Sequence, residues 1–379
     1  MSHTHDDADE IARIEQALTP GASAEQRAGT GRRAFIAGAA GAVAGATLLS
    51  SGVAEARVEN HAAVPPAGFV PFSSPGTVIK VTKSGCMQEN QKYPKAEDAR
   101  AMLEKAMIGL TGAADLKTAV MQFVHPQDKI CVKVNGIALQ NMGTNKELVL
   151  PFLQAMIDGG VPPERITVLE QYGGFLGGTR ISQDNVPKGV KIGIHGNGEA
   201  TMQGRVIPET GVETKFVRFL TEATAVINFA LVKDHSICGY TGAMKNMTHG
   251  CIINPSDFHG HEAHPQIAML YAQDVIKSRV RLNIADAFKV MAHGGPLWKS
   301  PQHVKVYEAV MASTDPVAID AIGWEIVEKM RADFGLKPLA QDTNPNHPKG
   351  REPKYIARAE QLGLGIADRS KITLKELTA

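Results

Sequence analysis

The sequence predicts an α/β protein, a parallel or mixed sheet with helices on both faces, disposed in two lobes. Three observations predict it. Short apolar runs of strand length recur along the chain, segments of helical period separate them, and the helical segment Asn145–Asp158 closes on Gly159-Gly160 before the next apolar run. Such alternation marks crossover connections between parallel strands, which are buried on both faces and therefore read as near-continuous apolar runs. A length of 379 residues suits one large or two modest domains, and an apolar fraction of 43% is ordinary for a packed core, so neither a fibrous nor a disordered chain fits.

Taken in order, the chain opens on polar residues to Gln26 and then reads Gly31-Arg32-Arg33-Ala34-Phe35-Ile36-Ala37, a twin-arginine pattern. A weakly apolar Gly/Ala segment runs to Leu49, and Ala54-Glu55-Ala56 supplies a small-x-small cleavage site, so residues 1–56 are expected to be a signal peptide and the mature chain to start at Arg57. The expected partner is the twin-arginine translocase and the expected location periplasmic or extracytoplasmic. Because that route carries folded proteins, it suggests a group inserted before export. The segment is too weakly apolar for a membrane span and no other run approaches spanning length, so the mature protein is expected not to cross a membrane.

Residues 57–76, with Pro65-Pro66, Gly68, Pro71 and Pro75, read as an irregular linker. The α/β domain is expected over 77–340. Strands are expected at Thr77–Thr82, Lys129–Val134, Arg165–Leu169, Val190–Ile194, Ala225–Leu231 and Val280–Ile284, in Rossmann-like layers with helices at Glu97–Leu110, Asn145–Asp158, Pro265–Lys277 and Pro316–Met330. Asp315 before Pro316 reads as a helix cap. Residues 341–379 read as a surface loop at Asn344–Lys354, a short helix and a tail.

Composition narrows the function. With 40 basic and 39 acidic side chains there is no global field to draw nucleic acid, so binding is local. Cys86, Cys131, Cys238 and Cys251 lack the paired spacing that holds zinc or an iron–sulfur cluster, so no cluster is expected in this chain. Cys238 and Cys251 flank the same turn, which leaves a disulfide in an oxidising compartment or two buried thiols. Gly196-x-Gly198 has no long helix pattern behind it and is too weak for a dinucleotide site.

The densest chemistry lies in Val232–His264. His235, His249, His259, His261 and His264, five of the thirteen histidines, surround a glycine-rich turn carrying Lys245. Each imidazole needs partners for its ring nitrogens, and glycines such as Gly239 and Gly242 let backbone approach a ligand, so a shielded ligand site around Gly239, Tyr240, Thr241, Gly242 and Asn246 is expected. It follows the apolar run Ala225–Leu231, where open parallel sheets place ligands. Lys245 suits neutralising a phosphate or, desolvated, acting as a nucleophile. His235, at a strand end, is a general-base candidate, whereas Asp234 reads as a loop solvator. His259, His261 and His264 read either as ligands for a divalent metal such as nickel, copper or zinc or as a solvated polar loop. Lys133 and Asn135 end a strand and are weaker candidates for meeting an anion. His293-Gly-Gly-Pro296 reads as a turn.

The segments Val232-Lys-Asp-His-Ser, Thr241-Gly-Ala-Met-Lys-Asn246 and Ser313-Thr-Asp-Pro-Val-Ala-Ile-Asp320 resemble the family called domain of unknown function 362, from about Lys129 to Met330. Members often accompany ferredoxin-type modules, which implies a separate iron–sulfur protein as a partner. More distantly, His235-Ser-Ile-Cys-Gly-Tyr-Thr-Gly-Ala-Met-Lys245, with His261 sixteen residues on, resembles the cofactor segment of nickel-pincer lactate racemases, and Gly143-Thr-Asn-Lys resembles their phosphate-contacting loop. That resemblance implies Lys245 as the attachment point of a nickel-pincer-type nucleotide, His261 as metal ligand, His235 as acid–base group, and Thr144 and Asn145 on a phosphate. Where the racemases place a second catalytic histidine this chain has Glu170-Gln-Tyr-Gly-Gly174, and His261 follows Gly260 rather than Asn. Three functions therefore stand at this point: an exported enzyme moving a proton or hydride on a small hydroxy acid, a non-catalytic metal- or anion-binding protein, or an electron-transfer accessory to the iron–sulfur partner.

Overall fold

The computed structural model describes residues 59–343 and 348–379. The expected signal segment 1–56 lies outside the described residues. In chain order the strands are β1 (Thr77–Thr82), β2 (Ile130–Lys133), β3 (Ile166–Glu170), β4 (Lys191–Ile194), β5 (Arg205–Val206), β6 (Glu213–Thr214), β7 (Ala225–His235), β8 (Gly239–Thr241), β9 (Val280–Met291), β10 (Val304–Ser313) and β11 (Thr373–Thr378). Nine of them form one sheet in the order β11-β1-β10-β9-β7-β2-β3-β4, with β8 joined to β7. Neighbours from β9 through β7, β2 and β3 to β4 are parallel, whereas β10 runs antiparallel to both β9 and β1. The α/β architecture with a mixed sheet is thus as the sequence predicts, and β5 and β6 pair antiparallel in a separate two-stranded sheet.

Local sequence explains the elements. Every residue of β2 and β7 is buried, as a strand covered on both faces requires. Alternate residues of β7 serve two apolar clusters. Val226, Ala230 and Val232 pack with Ile267, Leu270, Ile319 and Ile322 from the helices His264–Tyr271 and Pro316–Asp333. Ile227 and Phe229 pack on the other face with Met102, Leu103, Phe152 and Leu153 from the helices Ala96–Thr111 and Lys146–Asp158. In Ala96–Thr111 the buried positions Ala99, Met102, Leu103, Ala106, Met107 and Leu110 make one helical stripe, which Gly112 ends in the left-handed conformation. Asp315 caps Pro316–Asp333 by accepting from the amides of Val317 and Ala318, as expected.

Several boundaries differ from expectation. The helix expected over Pro265–Lys277 is two, His264–Tyr271 and Asp274–Lys277. The strand expected to end at Ile284 continues to Met291. β10 escapes the sequence reading because Glu308, at φ 57, sits in an irregularity between Val306 and Ala309 that breaks its alternation. β11 escapes because it is a mostly exposed edge strand, and the expected tail in fact pairs in parallel with β1. All four cysteines are free and buried, so Cys238 and Cys251 are two thiols rather than a disulfide. Among the described residues no helix is long and apolar enough to cross a membrane.

Chain order fixes the crevice. From β2 the chain steps outward to β3 and β4, then returns to lay β7 on the other side of β2. In such sheets the connections leave in opposite directions at this point and open a gap beyond the carboxyl ends of the strands. Register pairs Lys133 with Asn228, so β7 runs on past the end of β2.

Candidate functional site

The carboxyl ends of β2, β3 and β7 each deliver a buried charged side chain. The Lys133 amine lies 3.2 Å from Glu170 and 3.4 Å from Asn246 Oδ1, and it also donates to the Val134 carbonyl. Gly250 leaves room for it, since a Cβ there would stand 2.8 Å from Lys133 Cε. Asn135, just past β2, donates to Asn246 Oδ1 at 3.2 Å and accepts from the Lys233 amine at 3.1 Å. Asn246 in turn donates to Asn228 Oδ1 at 2.7 Å, which ties the network to the centre of β7. His195, following β4, meets the Gly250 carbonyl at 3.1 Å through Nε2.

Lys245 reaches the same place from the segment that follows β7. β8 folds back on β7, pairing Thr241 with Lys233, Tyr240 with Asp234 and Gly239 with His235. The chain then enters the helix Ala243–Thr248, whose first amides, Ala243 and Met244, donate to the Asp320 carboxylate at 2.6 and 3.1 Å. No side chain fits at Gly242, where a Cβ would stand 2.2 Å from Asp320 Oδ1. So fixed, the buried Lys245 amine sits 3.2 Å from His259 Nε2. The His259 ring stacks on His235 at 5.6 Å and meets His249 edge-on at 4.7 Å.

Hydrogen bonds assign roles to these imidazoles. His235 Nδ1 accepts from the amides of Ile237 and Cys238, so the proton of the neutral ring is on Nε2. His249 Nε2 faces the Phe258 carbonyl at 3.2 Å and its Nδ1 faces the Thr248 hydroxyl at 3.2 Å, so both its nitrogens are engaged. Burial dominates the titration. It pushes Lys233 down to about 7, with Lys245 and Lys133 adding to the effect and Glu170 opposing it. It pushes Lys245 down to about 8 and His195 to about 4, and it holds His235 and His249 well below the usual histidine value. At neutral pH the rings of His195, His235 and His249 are therefore neutral, while the two lysines stand near their midpoints.

Of the residues predicted from sequence, Lys245, His235, His259 and Asn246 converge, and the weaker candidates Lys133 and Asn135 join them. Gly239, Tyr240 and Gly242 shape the support: a Cβ at Gly239 would strike the Arg351 carbonyl, and the Tyr240 phenol packs where Gly323 lacks a side chain. Thr144 bonds Asn135 backbone through Oγ1, and Asn145 bonds Asp286 at 2.7 and 2.9 Å and Arg180 at 3.0 Å, so both stand behind Asn135. His261 is exposed on left-handed backbone at φ 52, and His264 lies 3.6 Å from Glu262. Among the described residues no group of three or more His, Cys, Asp or Glu is placed to hold a metal ion.

The expectation for Asp234 is corrected. It is a buried hub, not a loop solvator, because alternation along β7 turns it away from Lys233 and His235 toward Arg351 at 2.9 Å and the amides of Gly294 and Gly295 at 3.0 and 3.2 Å. Those contacts make His293–Pro296 a fixed turn, as expected. Arg351, from the segment read as a surface loop, is buried. Sequence reasoning missed Lys233, Glu170 and His195. The available signal was Lys233 itself, a lysine continuing an apolar strand run.

Over residues 130–325 the chain matches the family described as Domain of unknown function (DUF362). No curated protein matches it.

Proposed function

We propose, from the premise that this chain belongs to the DUF362 family, that it binds a small anionic guest in the crevice between β2 and β7, with Lys245 against the guest and the His259–His235 pair moving a proton. One observation carries this reading: a buried lysine amine 3.2 Å from an imidazole that stacks on a second imidazole, at the point where the sheet order reverses. Burial keeps the His235 ring neutral and brings the Lys245 amine near its midpoint, which is the condition for exchanging protons at neutral pH.

The guest is a substrate or an anionic cofactor. A nickel-pincer-type nucleotide carries phosphate and suits the buried amine in charge, and attachment at Lys245 belongs to this proposal. Its metal does not find a donor set, since His261 is exposed and no three-residue group is assembled among the described residues. No step is therefore routed through a metal. Export by the twin-arginine route remains part of the proposal, resting on Arg32-Arg33 and Ala54-Glu55-Ala56.

Intact-mass and elemental analysis of protein purified from its native host tests both parts. The expected result is a chain beginning at Arg57 with a bound anionic mass that Lys245→Ala loses while the fold, read by circular dichroism, is unchanged. Equal bound mass in the variant would remove Lys245 from the site, and a chain retaining residues 1–56 would remove the export reading.

A further inference from the structure

Charge balance in the crevice says more about the guest than its sign. Lys133, Lys233 and Lys245 are 1%, 0% and 7% exposed, which is rare for lysine and costly unless each ammonium is compensated. Glu170 compensates Lys133 at 3.2 Å. The Lys233 amine instead meets the neutral amide oxygen of Asn135, and the Lys245 amine meets His259. Among the described residues neither of these two amines is paired with a carboxylate.

A second observation is independent of the lysines. Thr241 is 4% exposed and its Oγ1 is buried without a hydrogen-bond partner. Residues directly opposed in an antiparallel pair share a face, and Thr241 is paired with Lys233. The hydroxyl therefore looks into the same crevice as the Lys233 amine. A buried hydroxyl without a partner is destabilising, so such a group in a native fold calls for a reason.

We propose that the guest presents a doubly charged oxyanion, a phosphate group or a dicarboxylate, held between the amines of Lys233 and Lys245 with the Thr241 hydroxyl as a further donor. The proposal rests on the anion-binding reading above and adds its charge and two of its contacts. Two negative charges match two ammonium groups whose hydrogen-bond partners are an amide and an imidazole, with Glu170 acting on Lys233 only from a distance, and the acceptor oxygens complete the hydrogen bonding of all three donors. Burial that weakens the hold of both lysines on their protons is relieved by the same ligand, so binding above neutral pH takes up protons.

Calorimetric titration of the mature protein with inorganic phosphate, malonate and acetate at matched ionic strength tests this. Phosphate or malonate is expected to bind at least tenfold more tightly than acetate, and comparison of the first two identifies which dianion the crevice prefers. At pH 8 the heat is expected to vary with the ionisation enthalpy of the buffer in the sense of proton uptake. Lys233→Met and the isosteric Thr241→Val are each expected to weaken the dianion about tenfold or more. Equal affinity for acetate and both dianions, or dianion binding unchanged in Thr241→Val, overturns the inference and leaves the anion site standing. Binding of none of the three overturns the anion reading as well.

Discussion

At Lys233 the fold holds a buried amine whose cost depends on pH. Its ammonium is buried with partial compensation, and burial brings it to about 7 from an ordinary 10.5. Between those values the unfolded chain holds the proton and the folded chain does not, so stability rises with pH across that window; below about 7 the destabilisation is present in full. Replacement by methionine removes it. Lys233→Met is therefore expected to be more stable than the wild type at pH 6 by about 1–4 kcal/mol, the range for exchanging buried ions for apolar side chains. That advantage should shrink toward pH 10, as read from urea midpoints. Parallel pH profiles for the two proteins would show that Lys233 is not desolvated. His195 works in the opposite range: burial takes it to about 4, so stability is lost as pH falls from about 6.5, where the unfolded ring charges first. Substituting His195 with glutamine is expected to flatten that acid-side loss.

At the scale of elements, the short helix Ala243–Thr248 decides where Lys245 points. Six residues do not make a stable helix alone, and this one is anchored by the Asp320 carboxylate on its first two amides and by burial of all six side chains. Asp320 belongs to the helix Pro316–Asp333, so the amine is aimed by an element far from it in sequence. Asp320→Ala leaves two buried amide donors without an acceptor and is expected to destabilise the fold by about 1–3 kcal/mol. It should also raise the reactivity of Lys245 toward an amine-acylating reagent, measured by peptide mapping. Unchanged labelling would mean that the helix is positioned by packing alone. The sequence showed a cap at Asp315 because that contact is local, but the partner of Ala243 was not visible because it is not.

Across the whole molecule, the C-terminal segment clamps the strand that carries the site. Arg351 reaches Asp234 at 2.9 Å, and Arg331 and Arg351 both bind Asp342, so residues beyond the match to the family hold the one carboxylate lying between Lys233 and His235. Arg351→Met leaves Asp234 with Arg331 at 3.8 Å as its remaining ionic partner. A loss of about 3–5 kcal/mol is expected, as when one member of a buried pair is removed, together with weaker anion binding; a stable variant with unaltered binding would show the clamp to be dispensable. The layers, most strand and helix positions, the cap at Asp315 and the concentration of chemistry in Val232–His264 are legible from local pattern alone, because periodicity and capping are properties of neighbouring residues. The gathering of Lys133, Glu170, Lys233 and Lys245 at one end of the sheet, with His261 left in solvent, emerges only in the folded chain. Those contacts follow from strand order, register and which face of β7 each side chain takes, and such long-range choices leave no mark in local spacing.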